Sequence, residues 1–224
     1  MAAVVLACSD VASGSGDRAR GLLAQREDIT VCQRPHRPGQ DEVDPVLDEL
    51  AGRRLIVSGT DADLAAVVLR LLRTERLDTV HIGYLPAADS VTARVWQLPR
   101  SPAKALDLAL NAPIRPTPLV RHDNGGVLLG AGTVTGIDGV IYLDDTRVLS
   151  GPAKQVRVTP DPGGVRVTVT HKGILGRTGP AVIGRACQLG GELPDVVNDG
   201  VPHGRAMPRW TWYRHTEDLR FARA

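Results

Sequence analysis

Apolar residues in the first half of the chain fall into short runs that alternate with segments of helical periodicity. Residues 3–7 form a β-branched run typical of a buried strand, and similar runs follow at 28–32, 54–57 and 79–85. Between them, apolar residues recur at helical spacing over 17–26, 44–50, 61–73, 91–97 and 102–110. This strand–helix alternation predicts an N-terminal doubly wound parallel α/β domain, to which we assign residues 1–112.

The pattern changes beyond position 111, where prolines and glycines punctuate the chain. Three prolines predict a linker: Pro113, Pro116 and Pro118. Short segments with period-two alternation follow, the clearest at 165–170 after a Pro162-Gly163-Gly164 turn. Further strand-like pieces are predicted at 210–213 and 219–222. We therefore predict a C-terminal antiparallel β-sandwich-like domain over residues 119–224.

Charge and cysteine content narrow the classes of function. The formal net charge of +2 gives no electrostatic case for a nucleic-acid partner. Cys8, Cys32 and Cys187 are few and widely spaced, which favours reduced thiols in a cytoplasmic protein over a disulfide framework or a zinc cluster. No apolar run approaches the length of a transmembrane segment, so any contact with lipid is expected at the membrane surface.

Ligands of open α/β sheets bind at the carboxyl ends of the strands, and three predicted loops occupy that position. Their candidate phosphate-binding residues are Ser9, Ser13 and Gly14 in the first loop, Ser58, Gly59, Thr60 and Asp61 in the second, and Ala87, Ala88, Asp89 and Ser90 in the third. A small-residue turn that opens a helix can present backbone N–H groups to a phosphate. An alternative is that the first loop is an ordinary strand-to-helix turn and that Thr60 or Asp61 caps the helix of the second.

The order of these segments along the chain is more specific than any single loop. Residues 4–16, VVLACSDVASGSG, resemble the opening strand and Asn-Pro-x-x-Gly loop of the diacylglycerol kinase catalytic-domain family, which shares its nucleotide-binding half with the NAD kinases. Residues 55–72 lie where that family carries Gly-Gly-Asp-Gly-Thr, and 82–99 resemble its Pro-x-Gly-Thr-x-Asn-x-x-Ala-Arg segment. In the second half, 156–169 resemble its Asp-Asp-Gly segment and 199–201 its late Asp-Gly-Glu. The resemblance covers nearly the whole chain and implies a lipid kinase-like, NAD-kinase-like fold.

The chain departs from this family at the residues that would handle ATP. The Gly-Gly-Asp-Gly-Thr motif is replaced by Ser58-Gly59-Thr60-Asp61-Ala62, and the Gly-Thr of the third loop by Ala87-Ala88. An alanine methyl would crowd a backbone that must approach phosphates closely. The family's general base aligns with Pro162 and Gly163, which leaves Asp161 as the nearest carboxylate. Loss of a general base typically lowers the rate by a factor of roughly 10²–10⁴.

Two functions are compatible with this pattern. The first, which the departures favour, is a non-catalytic relative that binds a nucleotide, a lipid or a protein partner and uses no cofactor. The second is an active, divergent lipid kinase that uses ATP and Mg²⁺. In that case Asp61, Asp63 or Asp89 would hold the metal. Asp161 or Asp144 would then be the general base.

Two tryptophans, Trp210 and Trp212, lie two residues apart near the end of the sequence. Strand alternation places both on one face and Tyr213 on the other. We predict that the pair packs in the core of the β domain. The alternative is an exposed pair, which would favour a homodimer, another partner or contact with a membrane.

Overall fold

The computed structural model describes residues 2–8, 21, 23, 26, 28–87, 89–173 and 176–224. The chain divides into two compact units, the first formed by Met1–Thr117 together with Glu217–Ala224 and the second by Pro118–Thr216. The domain limits predicted from the sequence, 1–112 and 119–224, stay a prediction. The structure groups the C-terminal segment with the first unit, so the chain passes from one unit to the other twice.

The first unit is built on a parallel sheet. Its strands are β1 (Ala3–Cys8), β2 (Ile29–Arg34), β3 (Arg54–Gly59) and β4 (Ile82–Pro86), in the order β2-β1-β3-β4. The end of a late strand, β15 (Met207–Ala222), adds to the edge of β4 in parallel, with Phe221 beside Ile82. Strands β2 and β3 lie on opposite sides of β1, so the strand order reverses there, as in doubly wound sheets. The predicted α/β class is confirmed.

Helices α1 (Gln40–Asp48), α2 (Asp61–Arg73), α3 (Val91–Val95) and α4 (Pro102–Asn111) accompany these strands. Helix α2 has the predicted bounds, whereas α1 begins earlier than the predicted 44–50. Its start is fixed by Glu42, whose Oε2 accepts a hydrogen bond from the Gly39 N–H (2.8 Å). This contact satisfies a backbone donor that an uncapped helix start would leave free. The predicted helix over 17–26 falls largely outside the described residues.

One face of the parallel sheet packs on α4. Val5, Ile56 and Leu85 contribute to a buried cluster with the apolar residues of this helix. The approach is close, because a Cβ atom on Gly83 would lie 2.7 Å from the carbonyl oxygen of Ala109. The buried Arg54 guanidinium donates to that same oxygen (2.9 Å) and to Ala112 O (3.1 Å), and so satisfies carbonyl groups at the C-terminal end of α4.

The second unit is an antiparallel β domain, as predicted. Its remaining strands are β5 (Ile114–His122), β6 (Val127–Leu128), β7 (Gly132–Thr135), β8 (Asp138–Leu143), β9 (Thr146–Asp161), β10 (Gly164–His171), β11 (Val182–Gly184), β12 (Ala186–Leu193), β13 (Asp195–Asn198) and β14 (Val201–Pro202). They follow the order β14-β13-β7-β9-β8-β12-β15, while β10 pairs with β9 and β11, and β5 pairs with β15 and β6.

Two details of this half differ from the sequence predictions. The three prolines expected to form a linker lie in or next to β5, where Pro116 and Pro118 keep an extended backbone without donating to a ladder. The two strand-like pieces expected at 210–213 and 219–222 are one long strand, β15.

The core of the second unit confirms the prediction for the tryptophan pair. Trp210 and Trp212 are fully buried among aliphatic residues of the surrounding strands. Trp212 Nε1 donates to Asn198 Oδ1 (2.8 Å), and a Cβ atom on Gly132 would lie 2.6 Å from the Trp212 ring. The pair is therefore a packing element and does not supply a dimer or membrane surface.

The cysteines of the described chain are free thiols. Cys8 and Cys187 are buried, and burial raises the pKa of each thiol to about 12. Both groups therefore stay protonated near neutral pH and are poor nucleophiles. Within the described ranges, no helix has the length and apolar character needed to cross a membrane.

Candidate functional site

The structure brings two of the three predicted loops together. Strands β3 and β4 are adjacent and parallel, with Ser58 opposite Leu85 and Gly59 opposite Pro86. The residues at their tips lie side by side: Ser58, Gly59, Thr60 and Asp61 after β3, and Ala87, Asp89 and Ser90 after β4. The Ala87 N–H donates to Gly59 O (2.8 Å), which ties one loop to the other. Ser9, Ser13, Gly14 and Ala88 lie outside the described residues.

Asp63 is fully buried and is held by the loop that precedes its own helix. Its Oδ2 accepts hydrogen bonds from the Thr60 backbone N–H (2.7 Å) and the Thr60 hydroxyl (2.8 Å). Its Oδ1 accepts from the Arg37 N–H (2.7 Å), and His36 Nδ1 lies 3.2 Å from Oδ2. The carboxylate therefore joins the start of α2 to the loop after β2. Thr60 is the N-cap of α2, as the alternative interpretation of this loop held.

Asp61 makes an equally complete set of contacts on the other side. Its Oδ1 accepts hydrogen bonds from the hydroxyls of Tyr84 (2.9 Å) and Ser90. Its Oδ2 accepts from the backbone N–H groups of Val91 (2.8 Å) and Thr92 (3.1 Å). Asp61 thus connects α2 to the first turn of α3, where a carboxylate offsets the partial positive charge of exposed N–H groups.

The Tyr84 hydroxyl keeps its proton in this arrangement and can donate a hydrogen bond to Asp61. Burial, reinforced by the nearby Asp61 carboxylate, raises the pKa of Tyr84 well above its ordinary value of 10. The phenol therefore stays protonated, and it lies 2.9 Å from Asp61 Oδ1 and 3.2 Å from Gly59 O. Sequence reasoning missed this residue, although a tyrosine inside a predicted buried strand signals a polar partner for its hydroxyl.

The position of the Asp63 carboxylate leaves no room for a side chain at position 59, so a glycine is required there. A Cβ atom on Gly59 would lie 2.6 Å from Asp63 Oδ2 and 3.0 Å from Asp63 Cβ, closer than real side chains approach one another. The glycine that the sequence pattern aligns with a phosphate-binding motif thus leaves room for a carboxylate of the protein itself.

A pocket of about 460 Å³ opens beside these residues, at the tip of β4. Its lining combines apolar and polar groups: Pro86, Asp89, Ser90, Ala93, Arg94, Gln97, Leu98, Pro99 and Arg100. Asp89 forms an ion pair with Arg94, both largely exposed. Arg100 is exposed as well, so the pocket carries one arginine that Asp89 does not neutralise. Sequence analysis identified Asp89 and Ser90 here and missed Arg100, which no motif contains.

The two candidate general bases lie in the second unit, each within its own hydrogen-bond network. Asp161 stands at the turn between β9 and β10, where it accepts from the Gly163 N–H (2.9 Å) and from Arg166 Nη2 (2.7 Å). Asp144 accepts from the backbone N–H groups of Arg185 (3.0 Å) and Ala186 (2.9 Å). A catalytic role for either residue stays a prediction.

Asp199 also accepts hydrogen bonds from the backbone. It belongs to the segment that resembles the family's late Asp-Gly-Glu. It is buried and accepts from three successive N–H groups, those of Leu129 (2.9 Å), Gly130 (2.7 Å) and Ala131 (3.0 Å). Its carboxylate therefore shapes the loop between β6 and β7. Among the described residues, no three histidine, cysteine or acidic side chains are grouped in a way that could hold a metal ion.

A pair of histidines, His122 and His203, packs on the buried Trp210, each ring 4.9 Å from the indole. Burial lowers the pKa of His122 from 6.5 to about 4, with His203 and Arg121 acting in the same direction and Asp123 opposing them. Between these two pH values, His122 is protonated in the unfolded chain and neutral in the folded chain. Lowering the pH through this range therefore favours the unfolded state.

We therefore expect stability to fall as the pH is lowered from 7 to 4.5. Urea unfolding followed by tryptophan fluorescence at both pH values measures this. Replacing His122 with phenylalanine should flatten the dependence, whereas replacing His81, which is exposed at the start of β4, with glutamine should not. An unchanged dependence in His122→Phe would show that another group is responsible.

Comparisons with known proteins agree with this fold. A solved diacylglycerol kinase from Bacillus anthracis str. Sterne superposes with a TM-score of 0.68 at 13% identity, covering 99% of this chain and 97% of that one. An NAD kinase from Archaeoglobus fulgidus in complex with ATP superposes with a TM-score of 0.56 at 12% identity, covering 100% of this chain and 94% of that one. No protein-family model matches the sequence, and no curated protein sequence matches it. The resemblance to diacylglycerol and NAD kinases is thus confirmed for the fold.

Proposed function

We propose that this protein is a non-catalytic, ligand-binding relative of the diacylglycerol kinases. The observation that carries the proposal is the engagement of Asp61 and Asp63, whose carboxylate oxygens accept hydrogen bonds from the protein itself. Mg²⁺ demands near-ideal octahedral geometry and binds through oxygens whose lone pairs are free. Both carboxylates would have to give up hydrogen bonds from N–H and O–H donors of the protein to take a metal, which costs the free energy of those contacts.

Phosphoryl transfer depends on neutralising the charge of the phosphates and on positioning the attacking hydroxyl. Without a metal at the strand tips, the first requirement is unmet. The requirement for a positioned hydroxyl is also unmet, because both candidate general bases are engaged. Asp161 pairs with Arg166, and Asp144 accepts hydrogen bonds from two backbone N–H groups. The two deficits support a protein that has kept the scaffold and lost the reaction.

The ligand we infer is a nucleotide bound without a metal in the pocket at the tip of β4. Its volume of about 460 Å³ falls in the range of small-molecule sites. Arg100, which Asp89 does not neutralise, would supply positive charge to a phosphate, and the apolar part of the lining would cover a base. The solved NAD kinase of similar fold holds ATP, which supports a nucleotide over other anions.

A transfer assay tests the loss of catalysis. The protein is incubated with γ-labelled ATP, Mg²⁺ and vesicles that contain diacylglycerol, beside an active diacylglycerol kinase. We expect no labelled phosphatidic acid above the protein-free control. Turnover in the ordinary range for kinases, about 1–100 s⁻¹, would instead establish an active lipid kinase that uses ATP and Mg²⁺.

Calorimetry tests the binding half of the proposal. We expect ATP to bind with similar affinity in EDTA and in Mg²⁺, because donors of the protein engage the carboxylates of Asp61 and Asp63. Arg100→Gln should weaken binding about tenfold, the scale of one charge-assisted contact. Arg73→Gln, at an exposed position of α2, is the matched control. ATP binding that requires Mg²⁺, or an ATP affinity that Arg100→Gln leaves unchanged, would contradict this assignment.

A further inference from the structure

A second pocket, of about 650 Å³, lies in the second unit where the chain turns back after β10. It is lined by His171, Lys172, Gly173, Gly176, Arg177, Thr178, Gly179 and Pro180. The returning segment is fixed to the strand by backbone hydrogen bonds, from His171 N to Arg177 O (3.0 Å) and from Gly179 N to Val169 O (2.8 Å). The Thr170 and Thr178 hydroxyls, 3.0 Å apart, add a side-chain contact. The described walls of the pocket are therefore held in place.

Positive charge converges on this pocket. Lys172 and Arg177 line it directly, and His171 lies beside them. Lys154 reaches the same wall from β9, because its Nζ lies 3.8 Å from the position a Cβ atom on Gly176 would take. None of the lining residues that the structure describes is acidic. Two cationic side chains thus line the cavity and a third lies beside it, so their combined positive charge favours an anion.

Some basic side chains of this protein are neutralised by acidic partners. Arg70 pairs with Asp44, Arg76 with Asp48 and Arg166 with Asp161. In the portion of the chain that the structure describes, no carboxylate forms an ion pair with Lys154, Lys172 or Arg177. Their charge is left for a partner from outside.

The choice of lysine at this place is also unusual for this chain. The 27 basic residues include only the lysines Lys104, Lys154 and Lys172. Two of these belong to the pocket, while Lys104 is exposed on α4. Lysine binds phosphate as a compact charge at the end of a long side chain, and arginine adds a planar fork that fits phosphate oxygens.

We propose that this pocket is a phosphate-binding site, taking the phosphate group of a lipid headgroup or of a small free phosphate compound. Lys154, Lys172 and Arg177 would contact the phosphate oxygens, and Pro180 and the glycines would leave space for the group that carries it. The site lies wholly in the second unit and uses none of the residues at the tips of β3 and β4. It therefore stands whether or not the first unit binds a nucleotide.

The test has two arms, one for each source of phosphate. Cosedimentation compares vesicles of phosphatidylcholine with vesicles that also contain phosphatidylglycerol, and calorimetry measures binding of glycerol 3-phosphate. Each uses the full chain, the triple variant Lys154→Gln/Lys172→Gln/Arg177→Gln and the control Lys104→Gln. All four positions carry solvent-facing side chains, so circular dichroism should report the same fold in each protein.

We expect the wild type to bind at least one probe, and the triple variant to bind it at least about tenfold more weakly because each cation near an anionic surface contributes substantially. Lys104→Gln should match the wild type. Binding to phosphatidylglycerol vesicles alone identifies a lipid headgroup, and binding of glycerol 3-phosphate identifies a free phosphate. The proposal is overturned if neither probe binds, if the triple variant binds like the wild type, or if Lys104→Gln loses as much as the triple variant.

Discussion

Replacing Asp63 with alanine should lower the free energy of unfolding by about 3–5 kcal/mol, because it removes a buried carboxylate that accepts several hydrogen bonds. The side chain is fully buried and accepts from the Thr60 N–H, the Thr60 hydroxyl and the Arg37 N–H. Each hydrogen bond to a charged group contributes about 1.5–3 kcal/mol, and relaxation of the two loops recovers part of the sum.

Urea unfolding followed by circular dichroism measures this effect. Asp41→Ala is the matched control, since Asp41 is an exposed aspartate in the first turn of α1. We expect the control to change stability by less than about 0.5 kcal/mol. A loss under about 1 kcal/mol for Asp63→Ala would mean that the carboxylate does little for the fold, and the case for a free metal ligand at this position would reopen.

Gly59→Ala should be the second most damaging change, with an expected cost of about 2–3 kcal/mol from overpacking. The added methyl group would lie 2.6 Å from Asp63 Oδ2, so the carboxylate would have to leave its donors or the strand tip would have to shift. Gly190→Ala is the control, because that glycine also lies in a strand and its Cβ would meet nothing closer than 3.9 Å.

The two changes should be strongly coupled. In an Asp63→Ala background the oxygen that Gly59→Ala would strike is absent, and only the milder contact at 3.0 Å with Cβ remains. We therefore expect Gly59→Ala to cost at least about 1 kcal/mol less in that background, as a double-mutant cycle would measure. If the two destabilisations were additive, the cost of Gly59→Ala would not come from its contact with the Asp63 carboxylate.

The sequence predicts the fold well where local signals agree. Helix α2 has both helical periodicity and a capping threonine, and its bounds of Asp61–Arg73 match the structure. The sequence predicts two strand-like pieces within β15 because the residues between them, 214–218, are all polar or charged. The prolines near β5 predict a linker because proline is typical of loops. The strand pairing of β5 depends on partners that are distant in sequence, so no local pattern indicates it.

The candidate site could be predicted only in part. Parallel strands that are adjacent in the sheet bring their tips together, so the placement of Ser58–Asp61 beside Ala87, Asp89 and Ser90 follows from topology. The roles of the acids do not follow, because their partners come from elsewhere in the chain. Asp63 binds Arg37, and Asp61 binds Tyr84, residues 26 and 23 positions away in sequence. Local patterns contain no record of such tertiary contacts.

The carboxylate oxygens of Asp61 and Asp63, which follow β3, accept hydrogen bonds from donors of the protein and are not free for a metal. Electron paramagnetic resonance of Mn²⁺, titrated into the protein in the absence of nucleotide, tests this most directly. We predict that the spectrum matches that of free Mn²⁺, and that Asp61→Asn changes nothing. A tightly bound Mn²⁺ signal that requires the protein and disappears in Asp61→Asn would contradict the account.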